Sequence, residues 1–335
     1  MERIALIFGT TYLYWSSIIL TLAAATAICL FLALYLREEG QFTTGFLTAA
    51  LALLLSVAAS RMLHWYGFDE SYPSFLAAMA NLSTGGFALL GAFAGCLLAA
   101  VLTRVLQLHD NLPKMLDCMC LAGGAGIAVG RLASFFNTAD RGQIVQSIQS
   151  MPWVYPVTNT ISGVTEYRLA TFLLQAMITG LIVLVLTILY LKGKNMPRKD
   201  GDTTLLFLLC YGAAEVVLDS TRYDSMFFRF NGFVSIVQVV GALALGFVIV
   251  MFSIRLVKRQ GFHRWYIGIW VAIAALIGCA GYMEYFVQRH GNEALSGYIV
   301  MSICLCLLID LTIVIRQLAE TKPAESASLH YLTEE

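Results

Sequence analysis

Leu169–Leu191 reads LATFLLQAMITGLIVLVLTILYL, 23 residues without a charge, closed by Lys192 and Lys194. This matches the ~20 residues that a bilayer core demands of one helix. In lipid the backbone has to satisfy its own polar groups, so a helix is the default for such a run. Working outward, similar runs cover 15–36, 43–63, 85–104, 115–135, 203–219, 232–254, 266–286 and 296–316. The predicted fold class is therefore all-α, a polytopic membrane bundle of about nine transmembrane helices.

Composition agrees. Hydrophobic residues make up 59% and charged residues 13% of the 335, against roughly 45–50% and about 25% in soluble domains. Net charge is zero, which gives no basis for a polyanionic partner such as nucleic acid. The first apolar run is long and no A-x-A site follows it, so no cleavable signal is expected. All eight cysteines fall inside apolar runs, where Cys behaves as a small hydrophobe. The Cys118-x-Cys120 and Cys304-x-Cys306 pairs point about 200° apart around a helix. Neither metal nor disulfide is expected, and no cofactor.

Loop charge sets the orientation. Arg37, Arg104, Lys114, Lys192, Lys194, Arg198, Lys199, Arg255, Lys258, Arg259, Arg264, Arg316 and Lys322 fall on one side, thirteen of the 21 basic residues. Taking that side as cytoplasmic puts the N-terminus outside and the C-terminus inside. The outer segments are then the irregular ones: a long loop over 138–168, rich in Pro and aromatics, and a charged loop over 219–231. Gly91-x-x-x-Gly95 and Gly126-x-x-x-Gly130 put small residues on one helix face, first of all a packing signal.

Ionisable groups at membrane depth are costly and often functional. Arg131, Ser134 and Asn137 form a polar stripe near the outer end of the fourth span. It reads either as an interfacial Arg snorkelling to headgroups or as a phosphate clamp, since a guanidinium presents five donors in a planar fork. In the sixth span Tyr211, Glu215, Asp219 and Arg222 follow at spacings of four, four and three and share a face. Asp219 is expected to pair with Arg222, and Glu215 with Arg131 or Arg61; an inert ion-pair network competes with a functional reading. Arg61 and His64 make a further outer pair, where His64 reads more readily as a satisfied interfacial residue than as a base.

These residues also resemble a known family. Gly130-Arg131-Leu132-Ala133-Ser134-Phe135-Phe136-Asn137, with Gly142 five residues on, is similar to the signature G-R-[IL]-G-N-F-x-N-G-E-x-x-G of bacterial prolipoprotein diacylglyceryl transferases. Collinear echoes surround it: Ser60-Arg61, Gly85 to Ala100, Asp117, Arg168 to Gly180, Tyr211-Gly212, Asp219, Arg222, Asp224 and Ser235-Ile236-Val237-Gln238. The resemblance covers roughly residues 10–255. It implies a seven-helix transferase-like membrane domain over 1–255 with the outer loop 138–168. A two-helix extension follows over 256–318, then a polar cytoplasmic tail over 319–335.

The resemblance further implies transfer of a diacylglyceryl group from phosphatidylglycerol to a lipobox cysteine thiol of a prolipoprotein signal peptide, in the bacterial cytoplasmic (inner) membrane. Arg131 would clamp phosphate with Asn137 orienting it, Arg222 would supplement it, Tyr211 would hydrogen-bond the headgroup, and Asp219 would hold Arg222. Arg61, His64, Ser134, Asp140 and Glu215 are the further candidates for binding substrate. The departures are Leu90 at the family's third-helix His, Glu215 at an Arg, Ser134 at an Asn and Ala139 at a Glu. They remove a proton acceptor and reverse one charge; His64, Asp140 and Glu215 are the remaining candidate bases. Two other readings stay open: a catalytically silent relative binding lipid or a protein, and a small-solute transporter.

Overall fold

A computed structural model describes residues 4–8, 11–68, 72–81, 85–109, 111–136, 141–145, 153–158, 164–193, 199–228, 231–290 and 294–321. A short hairpin of β1 (Ile4–Phe8) and β2 (Thr11–Tyr14) leads into α1 (Trp15–Arg37), then α2 (Phe42–Gly67), α3 (Phe75–Ala80), α4 (Leu89–Val105) and α5 (Leu112–Arg131). A 3-10 turn over Leu132–Phe135 continues α5. The hairpin β3 (Val154–Thr158) and β4 (Thr165–Leu169) precedes α6 (Thr171–Lys192) and α7 (Asp202–Ser220). A last hairpin of β5 (Phe227–Phe228) and β6 (Asn231–Ser235) leads to α8 (Ile236–Gln260), α9 (Tyr266–Arg289) and α10 (Ala294–Glu320).

Among the described residues, eight helices are long and apolar enough to cross a membrane. The ninth run is shorter than its sequence suggests: α4 has 17 residues and begins at Leu89 rather than 85. Gly85 and Gly86 hold φ of +70° and +81°, a left-handed conformation that ends regular helix and suits glycine. The 138–168 segment is likewise not all loop, since β3 and β4 pair antiparallel with Tyr155 opposite Arg168.

Two compact units emerge: residues 1–207 with 221–239, and residues 208–220 with 240–335. This division runs through α7 and α8. In the first unit the Gly motifs bring helices to backbone contact. A methyl at Gly91 would lie 2.5 Å from Ser60 Cα, and one at Gly95 would lie 2.5 Å from Ser56 Cα, so α4 rests directly on α2. Gly126 does the same for α5 on α1, where a methyl would lie 3.0 Å from Ala27 Cβ.

Three family-like residues act at helix N-termini, where backbone N–H groups lack intrahelical partners. Asp117, fully buried on α5, accepts from Gly201 N at 2.8 Å and from Thr204 N and Oγ1 at 2.7 Å each, capping the start of α7. At the start of α8 the Ser235 Oγ accepts from Gln238 N at 3.0 Å, and Gln238 Oε1 accepts from Ser235 N at 3.1 Å. That reciprocal pair is a capping box.

Candidate active site

Arg131 ends α5 and is 9% exposed. The 3-10 turn that follows repeats every three residues, so Ser134 stays over Arg131; Ser134 is 5% exposed. Arg131 also lines a cavity of about 390 Å³ bounded by α1, α2, α4 and α5. Its walls are small and apolar, Ala23, Ala27, Ala52, Ala92 and Gly126 among them, with Ser56 and Ser60 as hydroxyls. From Met119 to Arg131 the α5 wall runs twelve residues, about 18 Å at 1.5 Å per residue. Leu20, Leu53 and Phe87 line it too and are exposed, so the cavity communicates with the surface that lipid would cover. A deep apolar chamber with a guanidinium at one end suits an amphiphile with acyl chains and an anionic head.

Beside this lies a polar platform made by three chain segments. Gly142 N donates to Leu169 O at 3.1 Å, Gln143 N to Thr221 O at 2.9 Å and Tyr223 N to Arg141 O at 2.9 Å. A methyl at Gly142 would sit 2.6 Å from Leu169 Cβ and 2.8 Å from Thr171 Oγ1, which explains why the signature ends in glycine. Arg168 reaches Glu166 at 2.8 Å and stacks over Tyr223 at 4.7 Å. Arg222 pairs with Asp224 at 3.0 Å.

That placement corrects one expectation. Arg222 does not share a helix face with Tyr211, Glu215 and Asp219, because α7 ends at Ser220; its segment instead bridges Gly142. The other three do align on α7, 7%, 3% and 1% exposed, in the stretch that belongs to the second unit.

Arg61 is tied closely to the chain around it. It is 1% exposed, and its guanidinium donates to carbonyls of Ala78 at 2.6 Å, Asn81 at 2.7 Å and Gly86 at 2.8 Å, to Gly85 O, and to Tyr72 Oη at 3.1 Å. Those bonds hold Tyr72, Ala78, Asn81, Gly85 and Gly86 against α2. Tyr72 Oη also meets His64 Nδ1 at 3.1 Å, so Arg61, Tyr72 and His64 form one chain of contacts. Tyr72, Glu166, Thr171 and Asp224 were not read from the sequence. No motif carries Tyr72, whereas Asp224 stood in the resemblance without a role. Asn137 and Asp140 lie outside the described residues.

With this geometry in view, comparison with known proteins is decisive. The family model described as prolipoprotein diacylglyceryl transferase matches residues 3–254. The chain belongs to that family. Its relatives include the phosphatidylglycerol–prolipoprotein diacylglyceryl transferases of Finegoldia magna, 27% identical over 73% of this chain and 94% of the relative, and of Lactococcus lactis, 25% identical over 73% and 93%. The Synechococcus elongatus protein of the same name is 25% identical over 59% of this chain and 68% of its own. Family membership thus spans α1 to most of α8, and α9 and α10 lie beyond the match.

Proposed function

We propose that this protein moves a diacylglyceryl group from phosphatidylglycerol to the thiol of a lipobox cysteine in a prolipoprotein signal peptide. The observation that carries the reading is the cavity of small apolar side chains with buried Arg131 among its lining residues. Acyl chains fill the chamber and the phosphate lies against the guanidinium. The thiol sulfur then bonds to the glyceryl carbon, the carbon–oxygen bond to phosphate breaks, and glycerol phosphate leaves with the electron pair. The thiol, with an ordinary pKa near 8.5, gives up its proton to the departing phosphate, so that the products are the thioether and glycerol phosphate.

Arg131 stabilises the charge that grows on the departing phosphate, the kind of contribution worth about 10²–10³ in rate. Ser134 and Asn137 orient it. Arg222, anchored by Asp224, supplements it at the headgroup, and Tyr211 and Asp219 serve the same reaction from α7. His64 is held by Tyr72 and Arg61 by backbone carbonyls, which supports a supporting role for both.

We further propose nine spans in the bacterial cytoplasmic membrane, with the N-terminus and the site on the outer side. In this arrangement α4 crosses as a short helix of about 26 Å, completed by the extended residues before it. The replacement of a family Arg by Glu215 and of a His by Leu90 favours, as the second reading, a relative that binds lipid without transfer. Complementation of a transferase-depleted bacterium separates the two. Rescue by the chain, and its loss with Arg131→Ala at equal membrane abundance, is the expected outcome. No rescue by well-expressed protein would leave only the binding reading.

A further inference from the structure

The last two helices reach the site-bearing helix although they lie beyond the family match. Within the second unit, Tyr298 of α10 is 8% exposed and its hydroxyl donates to the carbonyl of Ser220, the final residue of α7, at 3.3 Å. Carbonyls in the last turn of a helix have no partner inside it. Glycine commonly follows such an end, but here Thr221 follows, and the bond comes from 78 residues away.

The hairpin's geometry aims that hydroxyl. A methyl at Gly297 would lie 2.5 Å from Val287 Cγ2 and 3.4 Å from Phe286 Cδ1, so α10 rests on α9 one residue before Tyr298. On α9, Glu284 is 8% exposed, accepts from Gln288 Nε2 at 2.9 Å, and interacts electrostatically with Tyr298. Its second oxygen is buried with no hydrogen-bond partner among the described residues. Earlier on α7, Gly212 packs on α8, where a methyl would lie 2.9 Å from Gly241 O. Glu215 and Asp219 therefore sit between a backbone contact at Gly212 and a side-chain cap at Ser220.

We propose that Tyr298 is a positioning residue: the α9–α10 hairpin caps α7 and holds Glu215 and Asp219 in register for transfer. The proposal rests on the transferase reading. It is tested with the full chain and Tyr298→Phe in lipid nanodiscs, using phosphatidylglycerol and a lipobox peptide, with amide hydrogen exchange on peptides covering 211–224. Losing one net hydrogen bond supports a change of about fivefold. Exchange in the last turn of α7 is expected to quicken by about that factor. The kcat should fall by a similar factor, while KM for phosphatidylglycerol and the Tm hold.

Unchanged exchange, or faster exchange with wild-type kcat, overturns the proposal. A kcat loss matched by lower Tm and folded yield reduces Tyr298 to packing and overturns it equally. An inert wild-type chain removes the transferase reading, and this proposal with it; active wild type beside an equally active variant removes this proposal alone.

Discussion

Arg61 and Arg131 are both buried arginines near the ends of apolar helices, yet their surroundings divide them. Arg61 spends its donors on four backbone carbonyls and a phenol, so it holds chain against chain. Arg131 lines a chamber whose other walls are mostly apolar, Ser56 and Ser60 apart, and the role proposed for it is to meet the anionic head of a ligand. Substituting Arg61 strands several carbonyls without a donor, and buried hydrogen bonds to a charged group count for about 1.5–3 kcal/mol each. Arg61→Gln is therefore expected to destabilise the fold by about 3 kcal/mol or more, seen as a lower melting temperature in detergent and poor membrane yield. Full stability in that variant would refute the structural assignment.

Among the elements, α7 carries three of the candidate site residues, Tyr211, Glu215 and Asp219, and is held at its ends by other helices. Its N-terminus is capped from α5 by Asp117, which takes two backbone N–H groups and one hydroxyl. A lost cap costs about 0.5–2 kcal/mol, and burial places this one at the upper end. Asp117→Ala should lower stability by about 2 kcal/mol, and Asp117→Asn, which keeps an acceptor, by clearly less. Thermal unfolding of the three proteins side by side reads the order, and equal losses in both variants would argue against capping. The family-like Ser235 and Gln238 work on the same principle at α8. These family-like positions thus serve here as helix caps.

For the whole molecule, the proposed orientation rests on loop charge and is open to direct measurement. The eight native cysteines all lie in apolar helices, so a cysteine placed in an exposed loop reports its own side. Trp153→Cys, exposed beside β3, should react with an impermeant maleimide from outside; His263→Cys, exposed before α9, should react only after permeabilisation. The reverse pattern would invert the topology. The sequence alone determined the mostly helical character, the approximate span positions and the family, because bilayer thickness forces long apolar runs and a motif is a local string; it did not foresee the three hairpins. It also singled out Arg131 and Ser134, whose spacing matters within one turn. Tertiary structure decided that Arg222 answers Asp224 from beyond the end of α7, that Arg61 bonds the carbonyls of Ala78, Asn81, Gly85 and Gly86, and that Tyr298 meets Ser220. It alone produced the chamber under Arg131. Hydropathy sums along the chain, whereas a cavity or a distant partner exists only once helices stand side by side at spacings set by glycines 91, 95 and 126.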